Sequence, residues 1–185
     1  MNFLIGVSGG IAAYKAADIV GALLKSKDVF VKVVMTENAK RFITPLTLAT
    51  LSKGPVFDDS TEWQPDGIIK HIELSKWADV FVIVPATANT ISKIATGITD
   101  NLLTSAYLAF LQNEKRVTIC PAMNTHMWEK EWIQKHLEVL SIRSNHMIIP
   151  PEEGLLACGD YGMGKLPSTR TIVENLLKKV IWKKF

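Results

Sequence analysis

Short unbroken apolar runs alternate along this chain with longer stretches in which apolar residues recur every three or four positions. Residues 2–7, NFLIGV, form the first run and end at Ser8-Gly9-Gly10; apolar residues then recur at 11, 12, 16, 19, 20, 23 and 24, the spacing of one helix face. The pattern predicts strand, glycine turn, helix. Further runs at 29–36 (VFVKVVMT), 79–86 (DVFVIVPA) and 116–122 (RVTICPA) predict strands, the last two ending in Pro-Ala, and MIIP at 147–150 predicts a fifth. Helices are predicted over ENAKRFITPLTLATLSK (37–53, broken at Pro45), NTISKIAT (89–96), DNLLTSAYLAFLQNE (100–114) and TRTIVENLLKKV (169–180). Residues 151–167 are glycine-rich without periodicity and read as a loop.

Strands this continuously apolar suit a sheet covered on both faces, and their alternation with helices predicts an α/β fold: a doubly wound, mostly parallel sheet in three layers. The length of 185 residues, with 48% hydrophobic and 21% charged, fits one compact domain over residues 1–185 and argues against disorder. No internal repeat or linker interrupts it.

The net charge of +3 is mild, and the lysines are scattered except in the ending LLKKVIWKKF. No basic stripe points to nucleic acid, whereas a small anionic ligand is compatible. No apolar run approaches the roughly 20 residues needed to span a bilayer, and the start MNFLIGV lacks the basic region and cleavage site of a signal peptide. The expected location is the cytoplasm, without membrane contact. Cys120 and Cys158, the only cysteines, form no CxxC pair and show no metal-ligand spacing to histidine, which fits reduced thiols and speaks against a structural zinc site.

In such sheets ligands bind beyond the carboxyl ends of the strands, so the informative residues are Ser8 to Ile11, Thr36, Pro85 to Thr90 and Pro121 to Trp128. GVSGGIAAYK puts free backbone N–H groups at a helix start, an anion-accepting arrangement, although its spacing is neither GxGxxG nor GxxxxGK[ST]; a turn that merely needs glycine fits it equally. PATANT places Thr87, Asn89 and Thr90 where they cap a helix and face a ligand. PAMNTHMW repeats the device, with Asn124 beside the apolar wall of Met123, Met127 and Trp128; polar tips next to such a wall suit a flat ring with a polar edge. Spacing alone ranks none of His71, His126, His136 and His146 as a proton carrier. Cys120 reads as a small core hydrophobe. Cys158 sits among Gly154, Gly159, Gly162 and Gly164, where a thiol could reach a ligand or simply be tolerated.

Taken in order, SGGIAAYK, PATANT, IATGITDNLLT, PAMNTHMW and LACGDYGMG resemble the homo-oligomeric flavin-containing cysteine decarboxylases, over about residues 3–180. The resemblance implies a flavodoxin-like fold and FMN bound at a subunit interface, in trimers that often combine into dodecamers. It assigns cofactor contacts to Gly9, Gly10, Ile11, Thr36, Thr87, Ala88, Asn89, Thr90 and Ala122, with Thr87 in place of the usual serine and DNLLT (100–104) reaching a flavin across the interface. It picks His71, ahead of the WAD strand, as catalytic histidine and Cys158 as catalytic cysteine. Asn124, Ala157 and Leu166 match substrate-binding positions, Leu166 standing where relatives usually have methionine. The glycine-rich loop 151–167 becomes a flexible cover over substrate.

The implied reaction is FMN-dependent decarboxylation of 4'-phosphopantothenoyl-cysteine to 4'-phosphopantetheine in coenzyme A biosynthesis, through a thioaldehyde, loss of CO2 to an enethiol, and re-reduction. The cysteine-joining ligase step is expected on a separate protein. The alternatives are a peptidyl-cysteine oxidative decarboxylase of the lantibiotic type, which stops at the enethiol and needs no final proton donor, and a flavin prenyltransferase, which needs no such cysteine. A non-enzymatic FMN-binding regulator is the alternative of a different class; such relatives carry long acidic extensions or lack catalytic residues.

Overall fold

The computed structural model describes residues 1–110 and 115–178. Six parallel strands form its central sheet: β1 (Asn2–Val7), β2 (Phe30–Met35), β3 (Val56–Phe57), β4 (Val80–Ala86), β5 (Arg116–Pro121) and β6 (His146–Ile148). Their spatial order is β3-β2-β1-β4-β5-β6. Without the two-residue edge strand β3, the remaining five read 2-1-3-4-5 in chain order, the flavodoxin-like arrangement. The topology reverses between β1 and β4, so their carboxyl ends flank a crevice.

Both faces of the sheet are covered, which explains the unbroken apolar runs. Phe3, Ile5 and Val7 of β1 pack with Val33, Val82 and Val84 against α1 (Lys15–Leu23), α2 (Pro45–Ser52) and α9 (Thr169–Leu177). On the other face, Leu4, Phe81, Ile83 and Ile119 meet the remaining large helices: α4 (Lys70–Trp77), α5 (Ala88–Thr96), α6 (Leu102–Ala109) and α8 (Glu131–Ser141). Alternate side chains of one strand thus enter two cores. Two single-turn helices, α3 (Asp59–Glu62) and α7 (Thr125–Trp128), complete the helical set among the described residues.

Several elements differ from the sequence expectation. The helix expected over 37–53 is a 3-10 turn (Glu37–Arg41) followed by α2, because Pro45 takes the first helical position and the Thr44 hydroxyl accepts the Thr47 N–H at 3.3 Å. The helix after the glycine turn likewise opens as a 3-10 turn, Ile11–Tyr14. The segment 151–167, expected to be irregular, contains an antiparallel hairpin of β7 (Glu152–Leu155) and β8 (Tyr161–Lys165). Residues 111–114 of the stretch 100–114, and residues 179–180 of 169–180, lie outside the described residues, as does most of the basic ending. Among the described residues no helix is long and apolar enough to cross a membrane.

Buried His146 illustrates how the core responds to pH. Its Nε2 lies 2.8 Å from the Tyr107 hydroxyl and its Nδ1 2.8 Å from the Asn145 side-chain oxygen, so Nδ1–H donates to Asn145 and Nε2 accepts from Tyr107. Burial, reinforced by Arg143, lowers the His146 pKa from 6.5 to about 4; burial likewise raises Tyr107 to about 12. Between those two histidine values the unfolded chain binds the proton that the folded chain refuses, so stability is complete above pH 6.5 and falls as pH drops towards 4. This one group is expected to cost on the order of 3 kcal/mol at the acid end. Urea midpoints measured across that range should flatten in His146→Gln; an unchanged slope would exclude His146 as its source.

Candidate active site

The loops after β1, β2, β4 and β5, together with the β7–β8 hairpin, enclose a cleft of about 990 Å³. Its floor is stitched at the topological switch. The Ser8 hydroxyl donates to the Pro85 carbonyl at 2.7 Å and accepts the Thr87 N–H at 3.0 Å, tying the ends of β1 and β4 together. Gly9 is packed so closely on Asn38 that an added Cβ would lie 2.4 Å from the Asn38 Cβ and 2.6 Å from its carbonyl carbon. Only glycine brings the chain through here.

Gly10 and Ile11 open the 3-10 turn, and Thr87 caps α5, its hydroxyl accepting the Thr90 N–H at 3.4 Å. The first N–H groups of both turns, including those of Ala88 and Asn89, have no acceptor within their own helix. The Thr36 hydroxyl is buried at the same cleft without a hydrogen-bond partner, and Ala122, whose N–H is held by the Ala86 carbonyl at 3.0 Å, also lines it. Free N–H groups, an unpartnered hydroxyl and a small-residue floor form a cradle for an anionic group joined to a flat polar ring.

The hairpin closes the other side. The Met123 N–H donates to the Gly164 carbonyl at 3.1 Å; Gly164 has φ 142°, and a Cβ there would come within 2.1 Å of the Met123 oxygen. Asn124 caps α7 through its side-chain oxygen, which accepts the His126 N–H at 2.8 Å. Its amide nitrogen therefore faces the hairpin, 3.2 Å from the Cys158 sulfur and 2.9 Å from Asp160. The Cys158 thiol donates to the Asp160 carboxylate at 3.2 Å. These two donors, Cys158 first, hold the Asp160 carboxyl below its ordinary range. Cys120, by contrast, is fully buried, and burial pushes its thiol far up.

Ala157 lines the cleft beside Cys158. Leu166 also borders it, but its side chain is 2% exposed and belongs to the core cluster; its carbonyl receives the Lys15 ammonium at 3.2 Å. Through that contact Lys15 braces the base of the hairpin, and burial, then nearby Lys165, lowers its pKa.

His71 stands apart. It lies on α4 in a second pocket of about 510 Å³ with Glu62, Trp63, Leu102 and Leu108. Asp59, Asp100 and Asn101 border both pockets. Within one chain, then, the thirteen other candidate residues meet at one cleft and His71 does not. Sequence reasoning also missed two carboxylates: Asp160, visible as the last residue of ACGD, and Glu62, which accepts the backbone N–H of His71 at 3.1 Å and lies in hydrogen-bond contact with its imidazole Nδ1.

Residues 1–181 match the family described as Flavoprotein. A probable phosphopantothenoylcysteine decarboxylase of Streptococcus mutans is 43% identical over 175 residues, covering 95% of this chain and 96% of the relative. The coenzyme A biosynthesis bifunctional protein CoaBC of Bacillus subtilis is 42% identical over 94% of this chain, which spans only 41% of that longer protein. Among solved structures, a cysteine-to-serine mutant of PPC decarboxylase complexed with pantothenoylaminoethenethiol superposes with a TM-score of 0.86, at 35% identity and 95% coverage of both chains. The FMN binding protein AtHal3 gives 0.85 at 34% identity, covering 100% of this chain and 98% of the other.

Proposed function

The chain belongs to the Flavoprotein family, and on that premise we propose that it decarboxylates 4'-phosphopantothenoyl-cysteine to 4'-phosphopantetheine with FMN as cofactor, a step of coenzyme A biosynthesis in the cytoplasm. The observation that carries this reading is the clamp over the cleft, where the Asn124 amide and the Cys158 thiol lie 3.2 Å apart. The similarity to a cysteine-to-serine PPC decarboxylase mutant holding an enethiol supports it, because an enethiol is what remains when a final proton donor is missing.

Gly9, Gly10, Ile11, Thr36, Thr87, Ala88, Asn89, Thr90 and Ala122 would hold FMN, its phosphate at the open N–H groups and a polar edge at the Thr36 hydroxyl. FMN, when bound, supplies reversible two-electron redox chemistry, which converts the substrate's CH2–SH into C=S and back. A carboxylate on a saturated carbon has no place for the electrons CO2 leaves behind; a neighbouring C=S provides one.

The chain's own residues then have separable tasks. The amide N–H groups of Asn124 hold the substrate carboxylate. His71 removes the thiol proton as C=S forms. Cys158 delivers a proton to the carbon that CO2 leaves, so the product regains both hydrogens and the net change is loss of CO2 alone. His71 and the clamp open onto different pockets of one chain. The family resemblance supplies the working unit of this reading, a homo-oligomer that is a trimer or a dodecamer built of trimers with FMN at the interface, and the separation of His71 from the clamp fits one subunit's His71 serving another's clamp. The hairpin of residues 151–167 acts as the cover over substrate, and residues 1–185 as one domain.

Purified protein is expected to be yellow and to release CO2 from phosphopantothenoylcysteine without added oxidant. Colourless protein with no affinity for FMN would overturn the reading.

A further inference from the structure

Glu62 is a buried carboxylate, 6% exposed, whose sole ion-pair partner among the described residues is His71. Burying a carboxylate is costly unless its oxygens are satisfied. Both are: one accepts the His71 backbone N–H at 3.1 Å, the other meets imidazole Nδ1. An ionised carboxylate only accepts, so in an ion pair with Glu62 it is Nδ1 that carries the proton.

Contacts on both sides of Glu62 hold it in place. It ends α3, a single turn started by Asp58 in a reciprocal capping arrangement with Thr61, and Asp58 is fixed by Lys40 at 2.7 Å. The adjacent Asp59 accepts the Leu102 N–H at 2.6 Å, tying the turn to the start of α6. Ser75 binds the His71 carbonyl one turn along α4.

We propose that Glu62 is the positioning residue for His71, holding the imidazole in its Nδ1–H form so that the unprotonated Nε2 faces the second pocket as the proton acceptor. This rests on the assignment of His71 as proton carrier above. A histidine that must take a thiol proton needs one bare nitrogen aimed outward, and the free ring in water favours the opposite tautomer; a fixed acceptor behind Nδ1 reverses that preference.

The test is histidine-selective 15N NMR of the FMN-loaded protein above neutral pH, with the His71 signals identified by their loss in His71→Asn. The wild-type protein should show His71 protonated on Nδ1 and bare on Nε2. In Glu62→Ala the tautomer should shift towards Nε2–H. The kcat should fall on the order of 10- to 100-fold, with KM changed less than about threefold. Glu62→Asp, which keeps the carboxylate, should recover part of the rate. A wild-type His71 protonated on Nε2 would overturn the proposal without any variant, as would an unchanged tautomer or an unchanged kcat in Glu62→Ala. Failure of the functional reading looks different: His71→Asn would then turn over at the wild-type rate, whatever the tautomer in the wild-type protein.

Discussion

Replacing Cys158 by serine is expected to leave CO2 release within about tenfold of wild type while changing the product, which should be lighter by about two mass units because the two hydrogens are not returned. The substitution is nearly isosteric, and Cys158 touches neither the Gly9–Ile11 turn nor the Thr87 cap, so cofactor binding and the first oxidation should survive. What is lost is acidity. The thiol stands 3.2 Å from both the Asn124 amide and the Asp160 carboxylate, at the clamp where the substrate's reacting carbon would lie. A serine hydroxyl in the same place is a far weaker acid and should strand the enethiol. Mass spectrometry of the product decides it: normal saturated thiol from Cys158→Ser would remove Cys158 from the mechanism.

The second large effect is expected from Gly164→Ala. Its added methyl group would meet the Met123 oxygen at 2.1 Å, and φ 142° is a conformation that side chains other than glycine rarely adopt. The Met123 carbonyl and the Asn124 carbonyl carbon, 3.5 Å away, are backbone and not flexible tips that swing aside, so β8 must move away from Met123 and carry Cys158 from Asn124. Displacement by about 1 Å at a reacting centre costs on the order of 100-fold in kcat/KM. FMN should still bind, because its cradle, Ala122 apart, is built from the loops after β1, β2 and β4, and the Ala122 N–H is held by the Ala86 carbonyl at 3.0 Å. Gly154→Ala provides the contrast: its Cβ would meet only the Lys165 side chain, at 3.0 Å, which can yield. Equal losses in the two variants, or loss of FMN from Gly164→Ala, would contradict this account of the hairpin.

The sheet was legible because its strands are buried on both faces: Phe3 and Leu4 enter different cores, which leaves no polar alternation to confuse the reading. The convergence of Gly9, Thr36, Thr87 and Asn124 was legible too, since parallel register brings the strands' carboxyl ends to one side. The hairpin was not. Glu152, Glu153, Leu155 and Tyr161 are exposed, and it is fixed by glycine fit against Met123 and Thr125, which has no hydropathy signature. Helix α8 was missed although Ile133, Leu137 and Leu140 are buried at helical spacing, a signal present in EWIQKHLEVLS. The place of His71 in a second pocket, and its pairing with Glu62 nine positions earlier, depend on a fold-back across a non-periodic stretch that spacing does not encode. The motif resemblance pointed to His71, while its place in a different pocket from the clamp emerges only in three dimensions.

The central claim is that this cleft removes CO2 from a phosphorylated cysteine amide and returns a saturated thiol. Its most direct test is anaerobic incubation of the FMN-loaded protein with phosphopantothenoylcysteine, and separately with a cysteine-ended peptide, recording CO2 and product mass. The account predicts many turnovers on the first substrate, with one 4'-phosphopantetheine formed per CO2 and no consumption of oxidant. Turnover confined to the peptide, or a product that stays at the enethiol, would contradict it.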